Sequence, residues 1–310
     1  MSTKRNFPSI FKAIQTIWMR ERSITEVIIH ISNALALMIV GHLLFTYLTA
    51  EKVIAVFNTV DSSILYYVLG GFIAQMIDGA LGMAYGVTAT TFLLSVGITP
   101  AAASASVHAS EVFTSGVSGY MHLKFGNVNS KLFKTLVIPG VIGAILGAYV
   151  ISSLEDYAGY IKPIVSVYTL FLGAIIIRKA IIKRQEKHQL KRVGWLALFG
   201  GYLDSIGGGG WGPIVSSTLI ASGRHPKYTI GSVNLTEFFV SLASSLTFFA
   251  VIGLGYLHVI IGLILGGVIA APIAARLANK LPVKSMMILV GIVIIIVSLR
   301  QIILGVPKFL

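Results

Sequence analysis

Long apolar runs broken by short polar islands make up almost the whole chain, and their lengths predict helices that cross a membrane. A first run, Ile24 to Ala50, follows a basic, partly amphipathic start and ends in a polar stretch around Glu51 to Asp61. Five runs follow, roughly Ser62–Leu81, Ala84–Gly97, Ala101–His122, Leu132–Ser152 and Ile161–Ile182. The charged stretch Arg178 to Arg192 separates them from five more, roughly Val193–Ile206, Trp211–Ser222, Tyr228–Ile252, Tyr256–Leu277 and Val283–Leu304. Most approach the ~20 residues that a helix needs to cross the ~30 Å hydrocarbon layer. The short alternating strands of a membrane barrel are absent from this pattern. The first run is too long for a signal-peptide core and lacks a convincing cleavage site, so it reads as a retained helix. The second run of each five falls short of a full crossing, and glycines precede both. Each either folds back with the run before it as a re-entrant hairpin or forms a short complete span, and the glycine breaks favour the hairpin.

The two sets of five are copies. At an offset of 126 positions Asp78 falls on Asp204, Gly82 on Gly208, Gly86 on Gly212 and Gly97 on Gly223. Pro100 then falls on Pro226, Ser106 on Ser232 and Glu111 on Glu237, while His108 answers Asn234 and Ser110 answers Thr236. The chain accordingly divides into a basic arm with an extra helix (1–61), a first repeat (62–182), a basic linker (183–192) and a second repeat (193–310). The expected fold class is an all-α membrane protein: a polytopic bundle of two repeats with glycine-broken short helices or hairpins.

Composition agrees with a membrane protein. Of 310 residues, 55% are hydrophobic and 11% charged, and the mean hydropathy is +0.87. The absence of cysteine excludes disulfides and thiolate metal sites. A net charge of +13 would suit nucleic acid, but its distribution has another cause. One crossing per run places 20 of the 24 Lys and Arg on a single side, which must then be cytoplasmic. The N-terminus is expected inside and the C-terminus outside, and no nucleic-acid partner is needed. An odd number of crossings per copy inserts the second copy upside down. Inverted repeats are the architecture of secondary transporters, with the site at the repeat interface near mid-membrane.

Four of the eleven acids, Asp78, Glu111, Asp204 and Glu237, lie inside apolar runs. An ionised acid at mid-membrane costs about 2.5–3.5 kcal/mol, so these four must face the interior, be protonated or accept hydrogen bonds. The aspartates suit helix capping before a glycine turn as well as they suit proton chemistry. The glutamates, well inside a long helix, favour a functional role such as proton coupling. Gly208, Gly209, Gly210 and Gly212, with Gly82 and Gly86 in the other copy, allow backbone turns that expose amides at a helix start. Such amides bind anions without Arg or Lys, although tight packing also selects glycine. Ser106, His108 and Ser110, and Ser232, Asn234 and Thr236, precede the glutamates as candidate ligands. Serine and threonine often bond instead to the preceding turn, and His108 is either a proton relay or a satisfied interior histidine. Tyr85 and Trp211 flank the turns and either wall a site or pack the interior.

The stretches DGALGMAYGVTATTFLLSVGITPAAASASVHASEVF and GGYLDSIGGGGWGPIVSSTLIASGRHPKYTIGSVNLTEFF resemble the TauE/SafE family of sulfite exporters, also grouped as toluene sulfonate uptake permeases. The likeness runs from about Leu65 to Leu304 and leaves the extra first helix outside. It implies an inner-membrane carrier of small sulfur-containing anions such as sulfite, sulfoacetate or related organosulfonates. The first copy departs from the family's glycine-rich pattern at Met83-Ala84-Tyr85, which puts its share of the contacts in question. The expected partners are a small anionic substrate and membrane lipid, a homodimer is compatible with the pattern, and no cofactor, metal or catalytic residue is expected. Two other readings compete. The carboxylates would suit a cation transporter or channel, and His108 with the acids would suit an intramembrane enzyme, but no nucleophile elbow, two-histidine metal motif or nucleotide-binding loop supports catalysis or ATP-driven transport.

Overall fold

Helices account for nearly all of the computed structural model, which describes residues 63–81, 83–181, 190–253, 255–277 and 283–308. The predicted first helix and basic arm, Gly82 and residues 183–189 of the linker lie outside the described residues. The first five elements are α1 (Ile64–Leu81), α2 (Tyr85–Ser95), α3 (Pro100–Lys124), α4 (Ser130–Ser153) and α5 (Ala158–Ile181). They are followed by α6 (Val193–Gly207), a π-helical turn (Gly212–Ser216) running into α7 (Ser217–Ala221), α8 (Pro226–Ile252), α9 (Leu257–Leu277) and α10 (Val283–Gly305). No strand occurs among the described residues. Adding 126 to the bounds of α1 to α5 reproduces those of the second set to within three residues. The helix boundaries thus repeat along with the sequence.

Local chemistry sets these boundaries. Thr99 caps α3 by accepting the Ala102 N–H, with Pro100 pre-set for the first helical turn. Asn129 caps α4 through the Leu132 N–H at 2.9 Å. The short helices end alike: at Gly97 φ is +100° and at Gly223 it is +86°. There the Ile98 and Arg224 amides reach back to the carbonyls of Leu93 and Leu219 at 3.1 and 3.2 Å. Left-handed backbone of this kind closes a helix cheaply only with glycine.

The most extensive helix pairs all join one copy to the other: α1 with α9, α6 with α4, α3 with α8 and α5 with α10. Small residues let these backbones touch. A methyl at Gly143 or Gly147 would overlap α6 at Leu198 or Tyr202, and one at Gly262 or Gly266 would overlap α1 at Tyr67 or Val68. These are the small-xxx-small pairs that the sequence assigns to packing. Among the described residues four stretches, Ser130–Ser153, Glu155–Ile181, Pro226–Ile252 and Lys284–Gly305, are long and apolar enough to cross a membrane. Their outer faces carry residues such as Ile138 at 66% and Ile296 at 61% exposure, an apolar surface suited to contact with lipid. At ~1.5 Å rise per residue α2 spans roughly 16 Å, about half of the ~30 Å apolar layer. The stretch Gly212–Ala221 is no longer.

Candidate functional site

The two aspartates do the same local job. Asp78 Oδ1 accepts the amides of Ala84 at 2.9 Å and Tyr85 at 3.3 Å. Asp204 Oδ1 accepts the Trp211 amide at 2.8 Å. Each carboxylate at the end of one helix therefore caps the start of the short helix after the turn, satisfying amides that would otherwise face apolar surroundings. Those amides, offered by the sequence to a bound anion, are occupied by the chain's own carboxylates.

The turns from the two copies meet. A Cβ on Gly86 would stand 2.8 Å from the Gly209 Cα, 2.9 Å from Glu111 Oε1 and 3.2 Å from the Gly208 carbonyl. Gly208, Gly209 and Gly210 have φ of +66°, +154° and +156°, values that L side chains avoid. Thr90 in α2 donates to the Gly208 carbonyl, and Tyr168 in α5 donates to the Gly209 carbonyl at 3.0 Å. Two bonds from the first copy thus hold the open backbone of the second copy's turn.

A second cross-copy link lies beneath this contact. His108 Nε2 stands 3.1 Å from Asp204 Oδ2, with the two side chains 0% and 3% exposed. His108 Nδ1 is 2.8 Å from the Ser104 carbonyl, which can only accept, so Nδ1 carries hydrogen. The Nε2–Oδ2 contact then requires a further proton on one of its two atoms. This pair holds one proton inside the protein. Ser104 itself donates to the Ser205 carbonyl at 2.5 Å, and Ser205 shares a hydrogen bond with Ser244 at 2.6 Å.

Beside the meeting turns is a cavity of about 300 Å³ lined by both copies. All four intramembrane carboxylates, Asp78, Glu111, Asp204 and Glu237, reach it, as do Gly86, Gly210, Gly212 and Asn234. Glu111 is 5% exposed and receives a long bond, 3.5 Å, from Ser241 of the other copy. Asn234 Nδ2 donates to Ser118 across the cavity at 2.9 Å.

The remaining sequence candidates lie outside this lining. Ser232 bonds to Tyr228 and Asn129 main chain, Thr236 bonds back to the Ser232 carbonyl, and Ser110 bonds to the Val107 carbonyl and Tyr85 hydroxyl. Ser106 is fully buried with no hydrogen-bond partner. Trp211 is fully buried, its indole N–H on the Val233 carbonyl at 3.3 Å. Its ring packs on Gly140, where an added Cβ would come within 2.8 Å. Gly208 and Gly209 shape the turn without lining the space, and His108 sits behind it. Tyr85, by contrast, walls the cavity.

Sequence reasoning missed part of the wall. Below Glu111, α3 contributes Thr114, Ser115, Ser118 and His122, and α1 contributes Gln75. The signal was present: Glu111, Ser115, Ser118 and His122 recur at steps of four, three and four, one polar stripe along an otherwise apolar helix. Met83 and Pro213, on the turns themselves, carry no such pattern.

Comparison with known proteins agrees with this architecture. The sulfite exporter TauE/SafE family model matches residues 67–301. The chain is 40% identical over 245 residues to the "Probable membrane transporter protein YtnM" of Bacillus subtilis (strain 168), covering 75% of this chain and 80% of that one. No solved structure matches. These matches show that the chain is a membrane transporter, a member of the TauE/SafE sulfite exporter family.

Proposed function

We propose that this protein is a secondary carrier for a small sulfur-containing anion, sulfite, sulfoacetate or a related organosulfonate, and that the cavity between the two copies is its binding site. The observation that carries this reading is the cavity itself: about 300 Å³, lined by residues of both copies. That is the lower end of the range for small-ligand pockets, roughly 300–1,000 Å³, and suits a small anion with a few waters. The inverted insertion expected from the distribution of basic residues would support alternating access. Two short hairpins entering from opposite faces would bring their tips together at mid-membrane, and the contact of Gly86 with Gly209 has this form. The basic residues along the chain support a cytoplasmic N-terminus, an external C-terminus and residence in the cytoplasmic membrane.

Four carboxylates around an anion site repel the cargo unless protons accompany it. Glu111, Glu237 and the proton held between His108 and Asp204 support coupling of anion movement to protons. Flux of labelled sulfite and of an organosulfonate into proteoliposomes tests the reading, with a proton gradient imposed in either direction. Anion flux that responds to the gradient is expected. Vesicles that pass a metal cation and neither anion would refute it.

A further inference from the structure

Lys179 differs from the other basic residues. Among described side chains, every other Lys or Arg is exposed except Lys162, near the opposite end of α5. A lysine in the last turn of a membrane helix ordinarily extends to the surface, where it also meets the favourable end of the helix dipole. The neighbouring Arg178 is exposed in this way. Lys179 instead turns inward, its Nζ donating to Met83 Sδ at 2.8 Å and to Ser217 Oγ at 3.3 Å. A thioether and a hydroxyl are weak partners for an ammonium. No carboxylate lies within ion-pair distance of it among the described residues. An intramembrane cation without a counter-charge is costly and marks a site of use.

Its place gives that use. Met83 lines the cavity and packs on Gly212, another lining residue, where an added Cβ would stand 3.0 Å from the Met83 carbonyl. One flexible thioether therefore separates the ammonium from the cavity. The lining contains four carboxylates and neither lysine nor arginine. The amides of Ala84, Tyr85 and Trp211 are already capped by aspartates. An oxyanion in this space needs a cation, and Lys179 is one side chain away.

We propose that Lys179 is the recognition cation of the cavity, binding the oxyanion of sulfite or a sulfonate once Met83 swings aside. The proposal rests on the transport reading above. An ammonium is a point charge with three rotatable donors, so it selects an oxyanion without regard to the group carried on sulfur. Sulfite and methanesulfonate should both depend on it. The test uses the purified full chain in proteoliposomes and, separately, in detergent. K179Q is expected to raise the KM for sulfite by about tenfold or more, the loss of one charge-assisted bond, while K179R stays within about threefold of the parent. In detergent, the rise in melting temperature given by sulfite should vanish in K179Q and persist in K179R, with ligand-free melting unchanged in both. K179M keeps the apolar stem and carries the same expectation where glutamine folds poorly. Parental KM and parental sulfite stabilisation in K179Q overturn the proposal, as does K179R as impaired as K179Q, which indicates packing. A parent protein that neither moves nor is stabilised by either anion overturns the transport reading and this proposal with it. A competent parent with an unaffected K179Q overturns this proposal alone.

Discussion

Replacing Asp204 separates its two roles, because its two oxygens do different things. Oδ1 accepts the Trp211 amide at 2.8 Å and Oδ2 faces His108 Nε2 at 3.1 Å. Asparagine can keep both contacts: its carbonyl accepts the amide, and its NH₂ donates to an Nε2 that is then bare, because Nδ1 is committed to the Ser104 carbonyl. Alanine keeps neither. Losing a helix cap costs about 1 kcal/mol, and leaving the buried histidine without a partner costs about 1–3 kcal/mol. D204A should therefore lose roughly 2–4 kcal/mol. At about 2–3 °C per kcal/mol for a chain of this length, its melting temperature in detergent should fall by roughly 4–12 °C. D204N should fall by less than about 3 °C, since both hydrogen bonds survive, yet it has nowhere to hold the shared proton. Its anion flux should become insensitive to the proton gradient. The measurement is thermal unfolding of the two variants beside the parent, followed by gradient-driven flux of D204N. If D204N unfolds as early as D204A, the bonding pattern assigned to Asp204 and His108 is wrong. If D204N is stable and its flux still follows the gradient, the pair does not carry the coupled proton.

Gly86→Ala places a methyl against Gly209 Cα, Glu111 Oε1 and the Gly208 carbonyl, two of them main chain that cannot move aside. A loss of about 1–3 kcal/mol and of transport is expected. Gly97→Ala, with nothing within 4 Å of its Cβ, should cost about 1–2 kcal/mol from its left-handed backbone alone and leave flux intact; equal transport by the two variants would show that the turns do not need to abut. Glu111→Gln and Glu237→Gln each remove one proton site from the cavity wall, and at least one should flatten the pH dependence of flux. Unchanged pH profiles in both would remove the glutamates from the coupling scheme.

The sequence made the elements and their duplication readable because both rest on local chemistry. Apolar length, proline at helix starts and glycine at helix ends act within one turn of the chain, and the offset of 126 repeats them twice. It also marked the four carboxylates, since an acid inside an apolar run is costly wherever it lies. The allocation of hydroxyl residues could not be read in the same way. Ser106, Ser110, Ser232 and Thr236 stand next to the glutamates in sequence, but a helix turns 100° per residue and carries them off the cavity face. The residues that do face it with Glu111, such as Ser115 and Ser118, follow the helical period, not adjacency. Lys179 falls in the charged stretch Arg178 to Arg192, and only the tertiary structure shows it directed at Met83.

The departures from the repeat define the working asymmetry of the site. Both copies keep the aspartate that caps a short helix, so that part of the duplication answers a structural need common to both turns. They differ at the position three residues before the glutamate. In the first copy His108 reaches across to Asp204; in the second Asn234 turns to Ser118, and Asp78 has no histidine on it. Both aspartates cap a helix and reach the cavity, but Asp204 alone is also tied to a histidine. A symmetric dimer of single repeats would carry both arrangements or neither. Fusing the copies into one chain let them diverge, so that His108 of the first copy can pair with Asp204 of the second while Asp78 keeps only its cap. Exchanging the two residues, H108N together with N234H, moves the pair to Asp78 without altering the residues present. If the asymmetry matters only for composition, the exchanged protein should transport as the parent does. If the stored proton must lie against Asp204, as its burial at 2% exposure beside the Gly208–Gly210 turn implies, the exchanged protein should bind anion and fail to couple its movement to protons.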